Sequence, residues 1–242
     1  MVNQRGRTLV WMGVVCLMRA GAAGAASAAD LSLQPGVVVY NADGFVRISG
    51  EIKNHTAQTV CAPRVEVFLM DAAGKPVGVK SIVTETKAAL GQEATDGTVA
   101  TREWLPPGEV AVFTYLRDRK SLSGGAPSKH EIRVSARQCE GAPPTIAVDD
   151  FKDKADSMGY HELTGVLRNS GKVGCRSPKI ILGMYDAAGK LLETNYIEPD
   201  EYFQKKLAPG KTVRFKQGSI SSPDWGKFAS FKYWGDCASH EP

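Results

Sequence analysis

The sequence has little of what a catalyst needs. Its four histidines, His55, His130, His161 and His240, never fall at a metal-ligand spacing such as His-x-x-x-His, which argues for surface histidines and against a metal site. There is no Gly-x-Ser-x-Gly elbow, P-loop or Gly-x-Gly-x-x-Gly cradle, so hydrolase, nucleotide-hydrolase and dinucleotide-enzyme readings have no motif to rest on. No cofactor and no enzymatic activity are expected. Long apolar runs are missing too. Only about eleven strongly apolar residues precede Arg19, where a membrane span needs roughly twenty.

That short apolar run is informative in another way. It follows the basic Arg5 and Arg7 and leads into the small-residue tract AGAAGAASAAD, where Ala26-Ser27-Ala28 or Ser27-Ala28-Ala29 offers a cleavage site. Residues 1–29 are therefore expected to be a secretory signal peptide. Lipidation at Cys16 is disfavoured, because Gly13-Val14-Val15 puts no small residue directly before the cysteine. The expected location is the periplasm or the extracellular space, with no stable membrane insertion once the signal has gone.

Removing the signal also removes most of the net charge. Arg5, Arg7 and Arg19 leave and no acid does, so 30 bases against 26 acids become 27 against 26. A nearly neutral chain carries no overall electrostatic footprint for nucleic acid. About 210 residues remain, enough for one large domain or two small ones.

The chain does contain a repeat. The pentapeptide DAAGK runs from Asp71 to Lys75 and again from Asp186 to Lys190, an offset of 186 minus 71, or 115. At that offset Gly50-Glu-Ile-Lys-Asn54 falls on Gly165-Val-Leu-Arg-Asn169, and Pro63 falls on Pro178. Val65, Val67 and Leu69 fall on Ile180, Leu182 and Met184, while Cys61 and Cys175 land within one residue of each other. Leu105-Pro-Pro-Gly108 matches Leu207-Ala-Pro-Gly210 at a shorter offset, and each copy closes on a strand-like run ending in cysteine, IRVSARQC and FKYWGDC. Ordered landmarks of this number indicate a duplication.

Four cysteines outside the signal allow three pairings, and an exported chain with an even count is expected to be disulfide-bonded. Each copy owns one early and one late cysteine, which favours Cys61 with Cys139 and Cys175 with Cys237. Each bridge would stabilise the fold by about 4 kcal/mol in the chain-entropy description.

Within a copy the apolar residues alternate with period two, as in RVEVFLMD and KIILGMYD, and no stretch has convincing helical periodicity. Asp71 and Gly74, like Asp186 and Gly189, suit a tight reversal in which Asp bonds forward to the backbone and Gly takes positive φ. Pro-Gly punctuates again before EVAVFTYL and KTVRFK. The expected fold is all-β, as two tandem immunoglobulin-like sandwiches at about 30–141 and 142–242, each with one internal disulfide. Ala142-Pro143-Pro144 reads as a short stiff joint.

The order Gly-x-aliphatic-x-Asn, a strand ending in Asp, a small-Gly-Lys turn and Leu-x-Pro-Gly resembles the FxLYD domains, small immunoglobulin-like sandwiches of exported bacterial proteins. The naming strand reads VFLMD and LGMYD here. Its aspartate matches in both copies, its tyrosine only at Tyr185, and its phenylalanine in neither. The resemblance implies an extracytoplasmic accessory or binding module with no catalytic site.

Differences between the copies are where a contact surface is expected. From Lys75 to Leu105 is 30 positions and from Lys190 to Leu207 is 17, so the first copy holds 13 more, around residues 89–104. That segment reads as a mobile surface loop or extended hairpin, or as a partner-binding loop anchored by Trp104. Residues from Phe151 onward include twelve aromatics against six between Tyr40 and Tyr115. If Phe231 and Tyr233 point inward, Lys232 and Trp234 point outward, and with the loop residue Trp225 they could meet sugar rings or peptides, or else fill a core or an interface. The acidic run Asp149 to Asp156 lacks the glycine of a calcium loop and reads as a solvated lead-in to the second copy. The partners expected are a protein or cell-envelope component, with polysaccharide as the alternative.

A non-reducing peptide map of the purified protein is expected to contain Cys61 linked to Cys139 and Cys175 linked to Cys237. A Cys139–Cys175 peptide would overturn the division of the chain into two copies.

Overall fold

The computed structural model describes residues 25–26, 30–42, 44–79, 96–139, 145–199, 205–223 and 226–241. Of the expected signal peptide only Ala25–Ala26 is included, and residues 140–144, which hold the expected joint, lie outside. Among the described residues the chain has no α-helix, and no helix long and apolar enough to cross a membrane.

The strands in chain order are β1 (Ala25–Ala26), β2 (Leu31–Ala42), β3 (Phe45–Asn54), β4 (Val60–Met70), β5 (Pro76–Val79), β6 (Asp96–Val99), β7 (Trp104–Leu105), β8 (Val110–Asp118), β9 (Leu122–Ser123) and β10 (Lys129–Gln138). They continue with β11 (Ile146–Ala155), β12 (His161–Asn169), β13 (Gly174–Tyr185), β14 (Leu191–Ile197), β15 (Lys206–Leu207), β16 (Thr212–Ile220) and β17 (Ser230–Glu241). All pair antiparallel, in four sheets. β2–β3–β8 faces a seven-stranded sheet centred on β4 and β10, and β11–β12–β16 faces a sheet in which β13 is flanked by β14, β15 and β17.

Alternation decides what each sheet buries. Val65, Val67 and Leu69 of β4 enter one apolar cluster with Val46, Ile48, Ile52 and Phe113, and Ile180, Leu182 and Met184 of β13 enter another with Leu163, Leu167 and Phe215. The two clusters share no residue.

Matching positions of the two sequence repeats make matching bonds. Asn54 and Asn169 are both fully buried. The Asn54 amide donates to the carbonyls of Gln58 (2.8 Å) and Leu105 (2.9 Å), and that of Asn169 to Val173 (2.9 Å) and Leu207 (2.8 Å). Both amide hydrogens are used in each case, so the asparagine of the Asn54-His55-Thr56 sequon is a structural clamp for the following turn. Asp71 Oδ1 accepts from Lys75 N (2.9 Å) and Asp186 Oδ1 from Lys190 N (2.8 Å), with Gly74 and Gly189 at φ 81° and 76°. DAAGK is therefore a turn in both places, built by an Asx bond and a glycine in the left-handed region.

Two bridges staple the sheets, Cys61–Cys139 with Cα atoms 5.1 Å apart and Cys175–Cys237 with Cα atoms 5.5 Å apart. The one-residue slip between Cys61 and Cys175 has a structural meaning. In β4 the core position is Val60, with Cys61 on the opposite face; in β13 the cysteine itself occupies the core position, and Cys175 and Cys237 lie inside the second apolar cluster. Strands β7 and β15 pair with these two segments, Leu105 opposite Val60 and Leu207 opposite Cys175.

Gly50 and Gly165 admit an aromatic ring against the backbone. A Cβ at Gly50 would lie 2.7 Å from the Phe113 ring, and one at Gly165 would lie 2.6 Å from Phe215. Gly50→Ala and Gly165→Ala are each expected to destabilise by about 1–3 kcal/mol through overpacking, read from the urea midpoint at unchanged m-value. Wild-type stability in both variants would show that these contacts do not govern the packing.

Candidate functional site: a sealed polar seam and an open groove

Strand β14 lies across the outward face of β2–β3–β8. A Cβ on Gly36 of β2 would meet the Leu191 carbonyl at 2.7 Å, Ser49 Oγ of β3 donates to the Leu192 carbonyl at 2.8 Å, and Thr114 Oγ1 of β8 accepts from Thr194 N at 3.2 Å. β14 thus meets the three strands in turn. A third apolar cluster, Val112, Ile181, Tyr185 and Leu191 with Trp234 packed against it, fills the seam.

Polar groups in this seam are matched to one another. Glu51, 7 % exposed, accepts a hydrogen bond from the Tyr185 hydroxyl, and the same carboxylate lies 3.1 Å from Lys232 Nζ. That ammonium also sits 4.1 Å from the centre of the Tyr185 ring. Burial first, then the Glu51 hydrogen bond and charge, push the Tyr185 phenol far above its ordinary range, so it stays a donor. Gly183 makes room for this ring, since a Cβ there would lie 2.7 Å from it. Arg47 and Glu193 pair at 2.9 Å; burial raises the Glu193 carboxyl, and the Arg47 charge opposes it. At the far end Asp236, 5 % exposed, accepts from Glu103 N at 2.8 Å. The adjoining cavity, bounded by Gln34, Pro35, Glu51 and Leu191, holds about 100 Å³, well below the few hundred of a small-molecule site. The seam is a largely covered contact between the two sets of strands, with Lys232 reaching solvent at its edge and its charged groups directed at each other.

Of the aromatic residues, Phe231 and Trp234 fall in the core and the interface that the sequence reading allowed, while Trp104 does not fall in a loop. Trp104 is 5 % exposed, opposite Cys61 in the β4–β7 pair, and so is no anchor for a partner. The longer segment of the first copy is described from residue 96, and that part is not a free loop: β6 pairs with β4, and Thr101 N donates to the Val112 carbonyl. The segment 89–95 lies outside the described residues. Phe231 packs on the second core, and Trp234 is on the other face, as alternation requires, but that face is covered by the seam. Tyr233 stacks on Phe151 with ring centres 3.9 Å apart and remains 40 % exposed. Trp225 lies outside the described residues.

The acidic run is the largely exposed first strand of the second set, β11, so the expected solvated lead-in is itself a strand, and Asp149 and Asp153 have side-chain partners. Asp149 binds Arg168 through both oxygens, at 2.7 and 3.2 Å, and is held below the usual carboxylate range by that bond. Asp153 meets His161 Nδ1 at 2.6 Å. Of the other histidines, His55 bonds Ser32 Oγ and His130 bonds Tyr40. Among the described residues no group of three or more His, Cys, Asp or Glu side chains could hold a metal ion.

Sequence reasoning overlooked the β11–β12 hairpin. Asp156-Ser-Met-Gly159-Tyr160 is a third Asp-x-x-Gly turn: Asp156 Oδ1 accepts from Met158 N (2.8 Å) and Tyr160 N (2.9 Å), and Gly159 has φ 82°. The spacing shared with DAAGK was the available signal. This turn holds Met158 77 % and Tyr160 42 % exposed. Beside them runs an open groove of about 410 Å³ walled by Lys154, Met158, Tyr160, His161, Glu162 and Ser219. His161 is fixed from behind, edge-on to Phe228 and Phe231 with ring centres 4.7 and 5.6 Å away. The groove therefore has rigid walls, an exposed ring, a flexible apolar side chain and charges of both signs.

No known protein family matches the chain, and no curated protein matches it. Solved structures with some likeness include red sea bream transglutaminase, at 12 % identity and TM-score 0.23 over 86 % of this chain and 31 % of that one. Another is the exo-chitosanase CsxA of Amycolatopsis orientalis, at 12 % identity and TM-score 0.26 over 88 % of this chain and 26 % of that one. The chain thus spans about a third or less of these proteins' length.

Asp236 makes the seam pH-sensitive. Burial raises its carboxyl from 3.8 to about 6, against the opposing Glu103 hydrogen bond and the charges of Lys179 and Arg102. A carboxyl with a raised folded-state pKa contributes stability that is complete below about 4 and lost as pH rises through about 6, on the order of 3 kcal/mol here. Asp236→Asn keeps an acceptor for Glu103 N and is expected to remove that slope between pH 4 and 6 in urea titrations. An unchanged slope would show that Asp236 ionises as freely folded as unfolded.

Proposed function

We propose that this is an exported, non-catalytic binding protein made of two tandem immunoglobulin-like sandwiches of FxLYD type, at about 30–141 and 142–242, that holds a macromolecule of the cell envelope. The observation that carries this reading is the open groove on the β11–β12 hairpin, with Met158 and Tyr160 presented to solvent by a rigid turn. Two separate apolar clusters, and one disulfide within each set of strands, support the division into two modules. The disulfides suit an oxidising compartment, in keeping with the signal-like N-terminus. The charged side chains of the seam pair with one another, and Asp149 and Asp153 of β11 are taken by Arg168 and His161, which supports recognition over chemistry.

Co-sedimentation of the purified protein with envelope material from the source cells tests this reading. Met158→Asp with Tyr160→Ala is expected to lower the bound fraction at least about fivefold while the thermal midpoint stays put, because both side chains are exposed. Undiminished sedimentation of the double variant would remove the groove as the contact.

A further inference from the structure

The two copies treat the same face of the fold in opposite ways. In the first, the outward face of β2–β3–β8 lies under β14 and is neutralised by Arg47–Glu193 and Lys232–Glu51 pairs. In the second, the outward face of β11–β12–β16 has no described strand lying across it. Strand register lays out its rows: Lys154 beside Glu162, then Lys152–Thr164–Lys216, then Asp149–Val166–Arg214, then Ala147–Arg168–Thr212. The alternate residues Leu163, Leu167, Val213 and Phe215 are core, so these rows point away from it.

The charge on this face is one-sided in a chain that is otherwise balanced. Five cations, Lys152, Lys154, Arg168, Arg214 and Lys216, stand in the rows against two carboxylates, Asp149 and Glu162. Asp149 is taken by Arg168 and Glu162 by Lys216 at 2.8 Å. Asp150 sits in the β11 bulge, out of the ladder, at φ 53°. Among the described residues Lys152, Lys154 and Arg214 make no ion pair, and all three are exposed. They lie on two edge strands with β12 between, so the span from Lys152 to Arg214 is on the order of 10 Å. Lys154, and Glu162 beside it, also wall the groove at Tyr160, so face and groove form one continuous surface.

We propose that the outward face of β11–β12–β16 binds an acidic polysaccharide chain, its carboxylate, sulfate or phosphate groups on Lys152, Lys154 and Arg214 and one sugar ring against Tyr160. Three features select this occupant. Backbone amides lie in the plane of a sheet, so its face offers only side-chain charges, which suit a polymer of repeating charge. The groove is concave, which admits a chain and not a bilayer. Tyr160 presents a ring in the same groove as Lys154, the combination of stacking surface and charge that a uronate or sulfated sugar uses. The reading rests on the binding role proposed above and specifies the chemical class of its partner.

Polygalacturonate, its uncharged methyl ester and phosphatidylglycerol vesicles serve as probes, at low and at physiological salt. The protein is expected to bind polygalacturonate, to ignore the methyl ester, and to weaken as salt rises. Lys152→Glu with Arg214→Glu is expected to weaken binding at least about tenfold. Lys53→Glu with Lys75→Glu, an equal change in net charge elsewhere on the surface, is expected to leave it within about twofold. Absence of polygalacturonate binding, equal binding of the ester, equal loss in the two double variants, or binding of the vesicles alone would each overturn the proposal. If envelope sedimentation persists in Lys152→Glu/Arg214→Glu but fails in Met158→Asp/Tyr160→Ala, the groove stands and the polyanion face falls. If the protein fails to sediment with envelope at all, the binding role itself falls.

Discussion

The arrangement of this molecule depends on keeping Glu51 satisfied. A carboxylate on the outward face of a sheet is unremarkable in water, but here β14 closes over it and leaves it 7 % exposed. A buried charge without partners would be costly. Tyr185 and Lys232, both from the other set of strands, supply the hydroxyl and the ammonium. Arg47–Glu193, Ser49 to the Leu192 carbonyl and Glu103 N to Asp236 then fix register along the seam. Apolar surface supplies the adhesion, and these directional bonds select one placement from the many that two greasy sheet faces would tolerate.

Much of the secondary structure was legible because period-two alternation and turn chemistry are local. The core residues of β4 and β13 could be read directly, and so could both Asp-Gly reversals. The repeat went further and ranked three disulfide pairings that spacing alone leaves equal. Contacts between the copies were not legible. Trp234 was correctly placed on the face opposite Phe231, yet no local pattern says that this face is covered. Trp104 looked like a loop residue because its strand is only two residues long and owes its existence to pairing with Val60 and Cys61. The β11 strand was hidden by its charges, which belong to an outward face and a bulge.

Repetition also explains where the candidate site lies. Asp-x-x-Gly turns occur at Asp71, Asp186 and Asp156, with closely similar hydrogen bonding. Two of them carry alanines. The third carries Met158 next to its glycine and Tyr160 just after it, so an ordinary scaffold element becomes a presenting device by a change of passengers alone. The rigidity comes from the turn and the chemistry from what it holds, a division of labour common to binding loops on β-scaffolds.

The slip of one residue between Cys61 and Cys175 has a consequence for access to the two bridges. Cys175 and Cys237 are fully enclosed in the second core, whereas Cys139 is partly exposed and its bridge lies outside the main cluster of the first. Thiol exchange needs in-line access to a sulfur. In the N-terminal bridge Cys61 is buried and only Cys139 is partly exposed, whereas both sulfurs of the C-terminal bridge are enclosed. A shift of one residue has thus set one bridge beside its core and the other inside it.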